Sequence, residues 1–390
     1  MEKREKWQER YLKYIIEVVL KLKTFDALSI NTEMNHLEVA LEIAQEASEI
    51  TLKEVHVVPL EGGRVSEAIK VKPLLSPIDT NHPARPVMLR IDDTAGRHWE
   101  VEEEASVVAK SAPLLQAVGN LAPPQLNKEV APWAVIPYPS EGWAAYLNLD
   151  EDQLWNLFGK LFALEEERFD QERQALVQRY LGHLNRLEGE SYHFEGGGSN
   201  FKVAINPNSR WRSGLYHLED GRTFIAHLPL GPLTMLTACH TISGTITASI
   251  PFKLLGSVVE GATFNFFEGE LTSYTAERGE ELLSLAFEID EGARRVSEIS
   301  LIDKRLALPP LTTEWGYRGF DQGVSNSFTF GMGEASHIEA LGEYSDEEEL
   351  ARATGCNLSA IRVRVPFSLE GLSVSCEGEG VVMRDGEFIF

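Results

Sequence analysis

The sequence predicts an α/β protein, α+β overall: an N-terminal α/β domain over residues 1–198, with a helix-covered, largely parallel sheet, then a β-rich domain over 199–390. Three observations predict it. In the first half, short β-branched runs alternate with segments of helical period, the pattern of βαβ units. Near Gly196-Gly197-Gly198-Ser199-Asn200 helical periodicity fades, and short alternating segments follow at regular spacing. The length of 390 residues suits two domains, and 43% hydrophobic residues supply a core for each.

From Trp7 to Lys23, apolar groups at Tyr11, Leu12, Tyr14, Ile15, Ile16, Val18, Val19 and Leu22 form a helical stripe too broad for an exposed helix, so this helix packs onto the domain. Phe25 to Ile30 reads as a strand, His36 to Ser48 as an amphipathic helix, and Glu54 to Pro59 as a second strand. The strand Val87 to Ile91, the helix Glu103 to Val118 and the strand Trp133 to Pro137 continue the alternation. Helices over Asp150 to Phe162 and Arg168 to Leu187 follow. Beyond the glycines, strands are expected at Phe201 to Ile205, Arg222 to His227, Gly244 to Ile250, Ser257 to Glu260 and Thr263 to Phe267. The glycine cluster itself reads as a turn or linker, since no G-x-G-x-x-G and no Walker-type Lys-Ser/Thr accompanies it.

Charge narrows the function. With 36 Lys and Arg against 60 Asp and Glu, the net charge is −24, which repels phosphate backbones and anionic lipid headgroups. Neither nucleic acid nor a membrane surface is expected as a partner. Cys239, Cys356 and Cys376 form no C-x-x-C pair and are too scattered for a disulfide framework, which fits a reducing compartment. No apolar signal core follows Met1 and no run of 18 apolar residues occurs, so a soluble cytoplasmic protein is expected.

Familiar catalytic signatures are missing: no H-E-x-x-H and no G-x-S-x-G occurs. Glu334 and His337, three apart, would share one face of a helix, a spacing used in carboxylate-rich di-metal sites but common by chance. The acidic runs Glu102-Glu103-Glu104, Glu165-Glu166-Glu167 and Asp346-Glu347-Glu348-Glu349 read as solvated faces, the last as a helix start.

The segments Gly256-Ser257-Val258-Val259-Glu260-Gly261, Ala276-Glu277-Arg278-Gly279-Glu280-Glu281-Leu282 and Asp290-Glu291-Gly292-Ala293-Arg294-Arg295-Val296-Ser297-Glu298 resemble the thermophilic metallo-aminopeptidase family, of the aminopeptidase T, aminopeptidase S and PepS type. The likeness extends to Tyr138-Pro139-Ser140-Glu141-Gly142-Trp143, Ala335-Ser336-His337-Ile338 and the closing Met383-Arg384-Asp385-Gly386-Glu387-Phe388. It implies an N-terminal α/β domain, a C-terminal domain carrying two divalent metals, and a homodimer enclosing the active sites. In the family, two glutamates, two histidines and an aspartate hold the metals, which polarise the scissile carbonyl and activate water. Matched position by position, Glu298 falls on a glutamate ligand, His337 on a histidine ligand, and Tyr344 on the catalytic tyrosine.

Three ligand positions depart from the pattern. Pro232, in Leu228-Pro229-Leu230-Gly231-Pro232, stands where the family has a glutamate, and Arg362 and Arg364 stand where it has His-x-Asp. Guanidinium groups stay protonated and have no lone pair for a metal, so the resemblance with these replacements implies a degenerate di-metal centre without the family's peptidase activity. Glu298 would pair with the arginines, His337 and Tyr344 would pack and hydrogen-bond, and Arg362 and Arg364 would form an anion site for a peptide or carboxylate. No cofactor is then expected. One rival is an active aminopeptidase with one zinc or cobalt ion, rebuilt with Glu334, His227 or His240; otherwise these two histidines are ordinary partly buried residues. Another is a regulatory or structural subunit that pairs with an active homologue.

Overall fold

The computed structural model describes residues 2–61, 64–74, 83–92, 131–166, 171–218, 220–311, 314–334, 337–338 and 347–390. The helix expected at Glu103 to Val118 lies outside them. A mixed α/β architecture is present, as the alternation of the first half predicts. Strand Asp26–Glu33 runs through the centre of the N-terminal sheet, parallel to Val55–Glu61 on one side and to Arg85–Asp92 on the other. Trp133–Pro137 continues the parallel order, while the short Arg64–Val65 and Ile69–Val71 add antiparallel at the far side.

Helices cover this sheet because their apolar residues recur at helical spacing. Leu37–Ser48 buries Val39, Ala40, Ile43, Ala44 and Ala47. The first helix, Glu2–Tyr14, runs into a π-helical turn, Ile15–Val19, and buries Tyr11, Tyr14, Ile15 and Val19. Glu151–Leu161 starts at a capping box in which Asp150 and Gln153 satisfy each other's backbone N–H. Gln171–Leu184 is the last helix before the β-rich part. No helix among the described residues is long and apolar enough to cross a membrane.

The β-rich part begins earlier than the glycine cluster suggests. Ser191–Gly196 and Ser199–Ala204 form an antiparallel hairpin around Gly197 and Gly198, so a boundary drawn at 198/199 falls inside that hairpin. All three glycines at 196–198 have positive φ, and a Cβ on Gly197 would stand 2.1 Å from the Ser368 side chain. The hairpin sits in the middle of an eight-stranded antiparallel sheet running from Glu270–Thr275 at one edge to Glu387–Phe388 at the other. A separate four-stranded sheet comprises Leu233–Leu236, Val296–Leu301, Asn326–Gly331 and Arg362–Phe367, in that order. Only the Thr223–Ile225 part of the expected strand Arg222 to His227 is a strand, paired with Leu215–His217.

Aromatic packing ties the two parts together. Phe320 packs against Trp143 and Phe158, with ring centroids 5.5 and 5.6 Å apart. Trp143 Nε1 donates to the Trp315 carbonyl at 2.6 Å, and the Tyr317 hydroxyl to the Val135 carbonyl at 3.1 Å. The segment 315–322 is thereby fixed against the N-terminal domain.

A second tie is ionic: Arg222 Nη1 donates to Asp26 Oδ2 at 2.5 Å, and both side chains are almost wholly excluded from water. Asp26 also accepts the Lys23 N–H at 2.8 Å. Removing one partner strands the other charge, so Arg222→Ala is expected to lower stability by about 3–5 kcal/mol in urea unfolding. A loss within about 0.5 kcal/mol would contradict this role.

Candidate functional site

The four-stranded sheet has one apolar and one polar face, and its register assigns each residue. Successive residues point to opposite sides, and directly opposed residues share a side. Met235, Ile299, Phe328 and Val365 stand in one row across the sheet, and all are fully buried in the core. On the other face, Thr234, Ser300 and Ser327 form a row, and Glu298, Thr329 and Arg364 form the next. Thr234 and Ser300 join hydroxyls at 2.7 Å.

Glu298 reaches the polar face through a β-bulge. Val296 opposes Phe330 and Glu298 opposes Thr329, leaving Ser297 as the extra residue. Without it, Val296 and Glu298 would share a side. With it, Val296 enters the core while Glu298 turns to the polar face. The Ser297 hydroxyl holds the bulge by donating to the carbonyls of Thr329 and Met332 at 3.2 and 3.3 Å.

Glu298 is 2% exposed, and both carboxylate oxygens are engaged. Oε1 accepts the Glu334 backbone N–H at 2.7 Å, and Oε2 accepts Arg362 Nη2 at 2.7 Å. Arg362 Nη1 also donates to Glu334 Oε2 at 3.3 Å, which completes a Glu298–Arg362–Glu334 cluster. About a third of the Arg362 and Glu334 side chains remains accessible. Loss of water works against the Arg362 charge, but Glu298 and Glu334 outweigh it and hold the guanidinium above its ordinary range.

Arg364 does something else. Its Nε donates to the Ser327 hydroxyl at 2.7 Å, Nη1 to the Asp321 carbonyl at 3.1 Å, and Nη2 to the Gln322 and Ser325 carbonyls at 3.0 and 3.4 Å. It thus caps the C-terminal carbonyls of the helix Arg318–Gln322 and joins that helix to the sheet. Arg364 was expected to serve as an anion donor; here its three nitrogens donate to one hydroxyl and three backbone carbonyls. Burial pushes its pKa down to about 10, so it stays charged at neutral pH.

The other sequence-predicted residues divide. His337 lies against the cluster: its N–H donates to the Glu334 carbonyl at 2.9 Å, a single tight turn rather than the helix face expected from their spacing. Its Nδ1 is buried without a hydrogen-bond partner, and burial lowers its pKa, opposed by Glu298 and Glu334, so the ring is neutral at pH 7. Pro232 does not stand beside Glu298. It precedes the pair Leu233–Leu301, and the residue opposite Glu298 is Leu236. His227 is exposed and edge-on to Trp133, 5.0 Å between ring centroids. His240 is exposed beside the Gly269 turn. Tyr344 lies outside the described residues. Among those described, no three His, Cys, Asp or Glu side chains converge as metal ligands.

Sequence reasoning missed Arg212, Arg318 and Asp321. Arg212 opposes Thr234 in a β-bridge, which puts its side chain on the polar face. Arg318 opens the helix that Arg364 caps, and lost water and the neighbouring Arg362 lower its pKa despite Glu298 and Glu334. Asp321 accepts the Trp315 N–H at 2.6 Å, and burial, aided by Glu314, raises its carboxyl to about 7. A guanidinium among strand-like residues carries no sequence signal that separates it from an ordinary surface arginine.

Residues 89–388 match the family model for the thermophilic metalloproteases (M29), so the chain belongs to that family. Aminopeptidase T of Thermus aquaticus is 27% identical over 249 residues, 61% of this chain and 60% of that protein. Aminopeptidase PepS of Streptococcus thermophilus is 21% identical over 382 residues, covering 91% and 90%. The match thus spans only about three fifths of the Thermus relative's length. In fold, the chain is similar to wild-type AmpT from Thermus thermophilus, with a TM-score of 0.75 over 99% of both chains at 19% identity.

Two outcomes test this geometry. Arg364→Ala leaves four acceptors without a donor and is expected to cost on the order of 3 kcal/mol in denaturant unfolding; an unchanged midpoint would contradict the capping role. Asp321 has a folded pKa above its unfolded one, so its contribution to stability is present at low pH and is lost as pH rises through about 7. Asp321→Asn, which keeps the acceptor for Trp315, is expected to raise stability by about 1–3 kcal/mol at pH 8 and little at pH 4. Equal effects at both pH values would sink the assignment.

Proposed function

We propose that this chain is a family member in which an ion-pair centre has replaced the two-metal peptidase centre, and whose polar sheet face binds a peptide or small carboxylate without hydrolysing it. One observation carries the reading: the Arg362 guanidinium lies 2.7 Å from Glu298 Oε2, against the oxygen that a metal would need. The family name implies metal, and the residues present do not fit one. Glu298 has no free oxygen, the cation beside it repels a dication, and Arg364 offers neither lone pair nor negative charge. His337 supplies one neutral imidazole, whereas catalytic zinc sites use three protein ligands.

The chemistry left to these residues is recognition. A buried carboxylate clamped by a guanidinium and a backbone N–H is fixed in place. The reading places the protein in the cytoplasm as a homodimer, or as a pair with an intact relative through the same surface.

After incubation with zinc or cobalt and extensive dialysis, elemental analysis is expected to find essentially no ion per chain, and peptides should keep their N-terminal residues. One or two ions per chain together with amino-acid release would overturn the proposal. The replacement Arg362→His with Arg364→Asp removes two repelling charges and adds two ligands. It is expected to raise zinc affinity at least about tenfold over the unmodified chain.

A further inference from the structure

A polar groove of about 310 Å³ lies between the π-helical turn Ile15–Val19 and the helix Gln171–Leu184. No residue of the Glu298–Arg362–Glu334 cluster lines it. Sequence spacing builds its walls. Gln171, Gln174 and Gln178, at intervals of three and four, share one face of the helix, and across from them stand Glu17 and Lys21. The π-turn widens the backbone where Glu17 meets the groove. The Leu20 N–H reaches back to the Ile15 carbonyl at 2.9 Å and the Leu22 N–H to the Ile16 carbonyl at 3.0 Å, longer loops than the α-helical bond closes.

The groove holds one carboxylate and one ammonium, four residues apart on the same wall. Among the described residues, Glu17 makes no hydrogen bond or ion pair, and Lys13, one turn before it, is taken by Glu9 at 2.7 Å. Lys21 Nζ donates to Thr223 Oγ1, which anchors it. An ammonium has three donors, so two remain for a ligand. The facing wall carries no charge: it is a row of carboxamides, each with two donors and an acceptor. The side chains of Gln171 and Gln178 make no hydrogen bond among the described residues. A lone cation or a lone anion in this groove would leave one of its two charges unanswered.

We propose that this groove binds a free dipeptide in its zwitterionic form. Glu17 accepts from the ammonium, Lys21 donates to the carboxylate, and the glutamines hydrogen-bond the peptide group between them. Spacing and size carry the choice. Side chains four apart on a helical turn have Cβ atoms about 5–6 Å apart, and two extended residues span about 7 Å. A single amino acid is about half as long and does not reach both charges. The groove stands at the small end of ligand sites, about 300–1,000 Å³, so a longer peptide would run out of it. Because the groove shares no residue with the ion-pair centre, its ligand is independent of whether that centre hydrolyses peptides.

Calorimetric titration of the full chain with Ala-Ala, its N-acetyl derivative, its C-terminal amide and alanine tests this. Ala-Ala is expected to bind, and acetylation, amidation or shortening to alanine to weaken binding about fivefold or more. Glu17→Gln is expected to impose the same loss on Ala-Ala while leaving the N-acetyl derivative, which has no ammonium to lose, unchanged. Glu5→Gln, at an exposed position of the first helix, should alter neither. No saturable heat with about 10 mM Ala-Ala, blocked peptides that bind as tightly, or an unchanged affinity in Glu17→Gln overturns the proposal. Alanine released in parallel samples would overturn the reading of the ion-pair centre instead, while the difference between the unmodified chain and Glu17→Gln still decides the groove.

Discussion

A carboxylate almost sealed from water must have a counter-charge, and the centre of this molecule is organised by that need at Glu298. Removing an isolated ionised carboxyl from water costs more than a typical domain can tolerate, so such a group is neutralised, metal-bound or paired. Here Arg362 and the Glu334 N–H take its two oxygens at 2.7 Å each. Under the function proposed above, this is a change of counterion. The geometry that presents the carboxylate is built by the sheet and its bulge, and either a dication or a guanidinium can answer it.

The scaffold around that pair is rigid for identifiable reasons. The bulge at Ser297 turns Glu298 away from the core, and the row Met235, Ile299, Phe328, Val365 locks the sheet's other face. The segment 315–322 is anchored by Phe320 among Trp143 and Phe158, and Arg364 ties its carbonyls back to the sheet. Arg362 and Arg364, two residues apart on one strand, therefore have different work: one neutralises a carboxylate, the other joins two elements.

Much of the N-terminal domain was legible in the sequence because its periodicities are strong. Trp133–Pro137 matches the expected strand, and His36 to Ser48 differs from the observed helix by one residue. The site sheet was not legible as a sheet. Its strands carry Ser, Thr, Glu and Arg on the polar face, so their alternation reads as surface, and long-range pairing fixed a register that no local signal encodes. The pairing of Glu298 with Arg362 was expected from the family resemblance, which sets both residues at one site, together with the chemistry of a carboxylate and a guanidinium. The separation of Pro232 from Glu298 did not, because it depends on strand register, and the glycine cluster gave a turn without showing that both its arms belong to one sheet.

The central claim is that Arg362 is the counterion of Glu298. A double-mutant cycle with Glu298→Gln, Arg362→Met and the combined variant, unfolded in urea without divalent metal, measures that coupling directly. A coupling of about 2–4 kcal/mol is expected, with each single variant less stable than the pair of changes together. Coupling below about 0.5 kcal/mol, with the unmodified chain gaining several kcal/mol on adding zinc, would show that Glu298 is still a metal ligand.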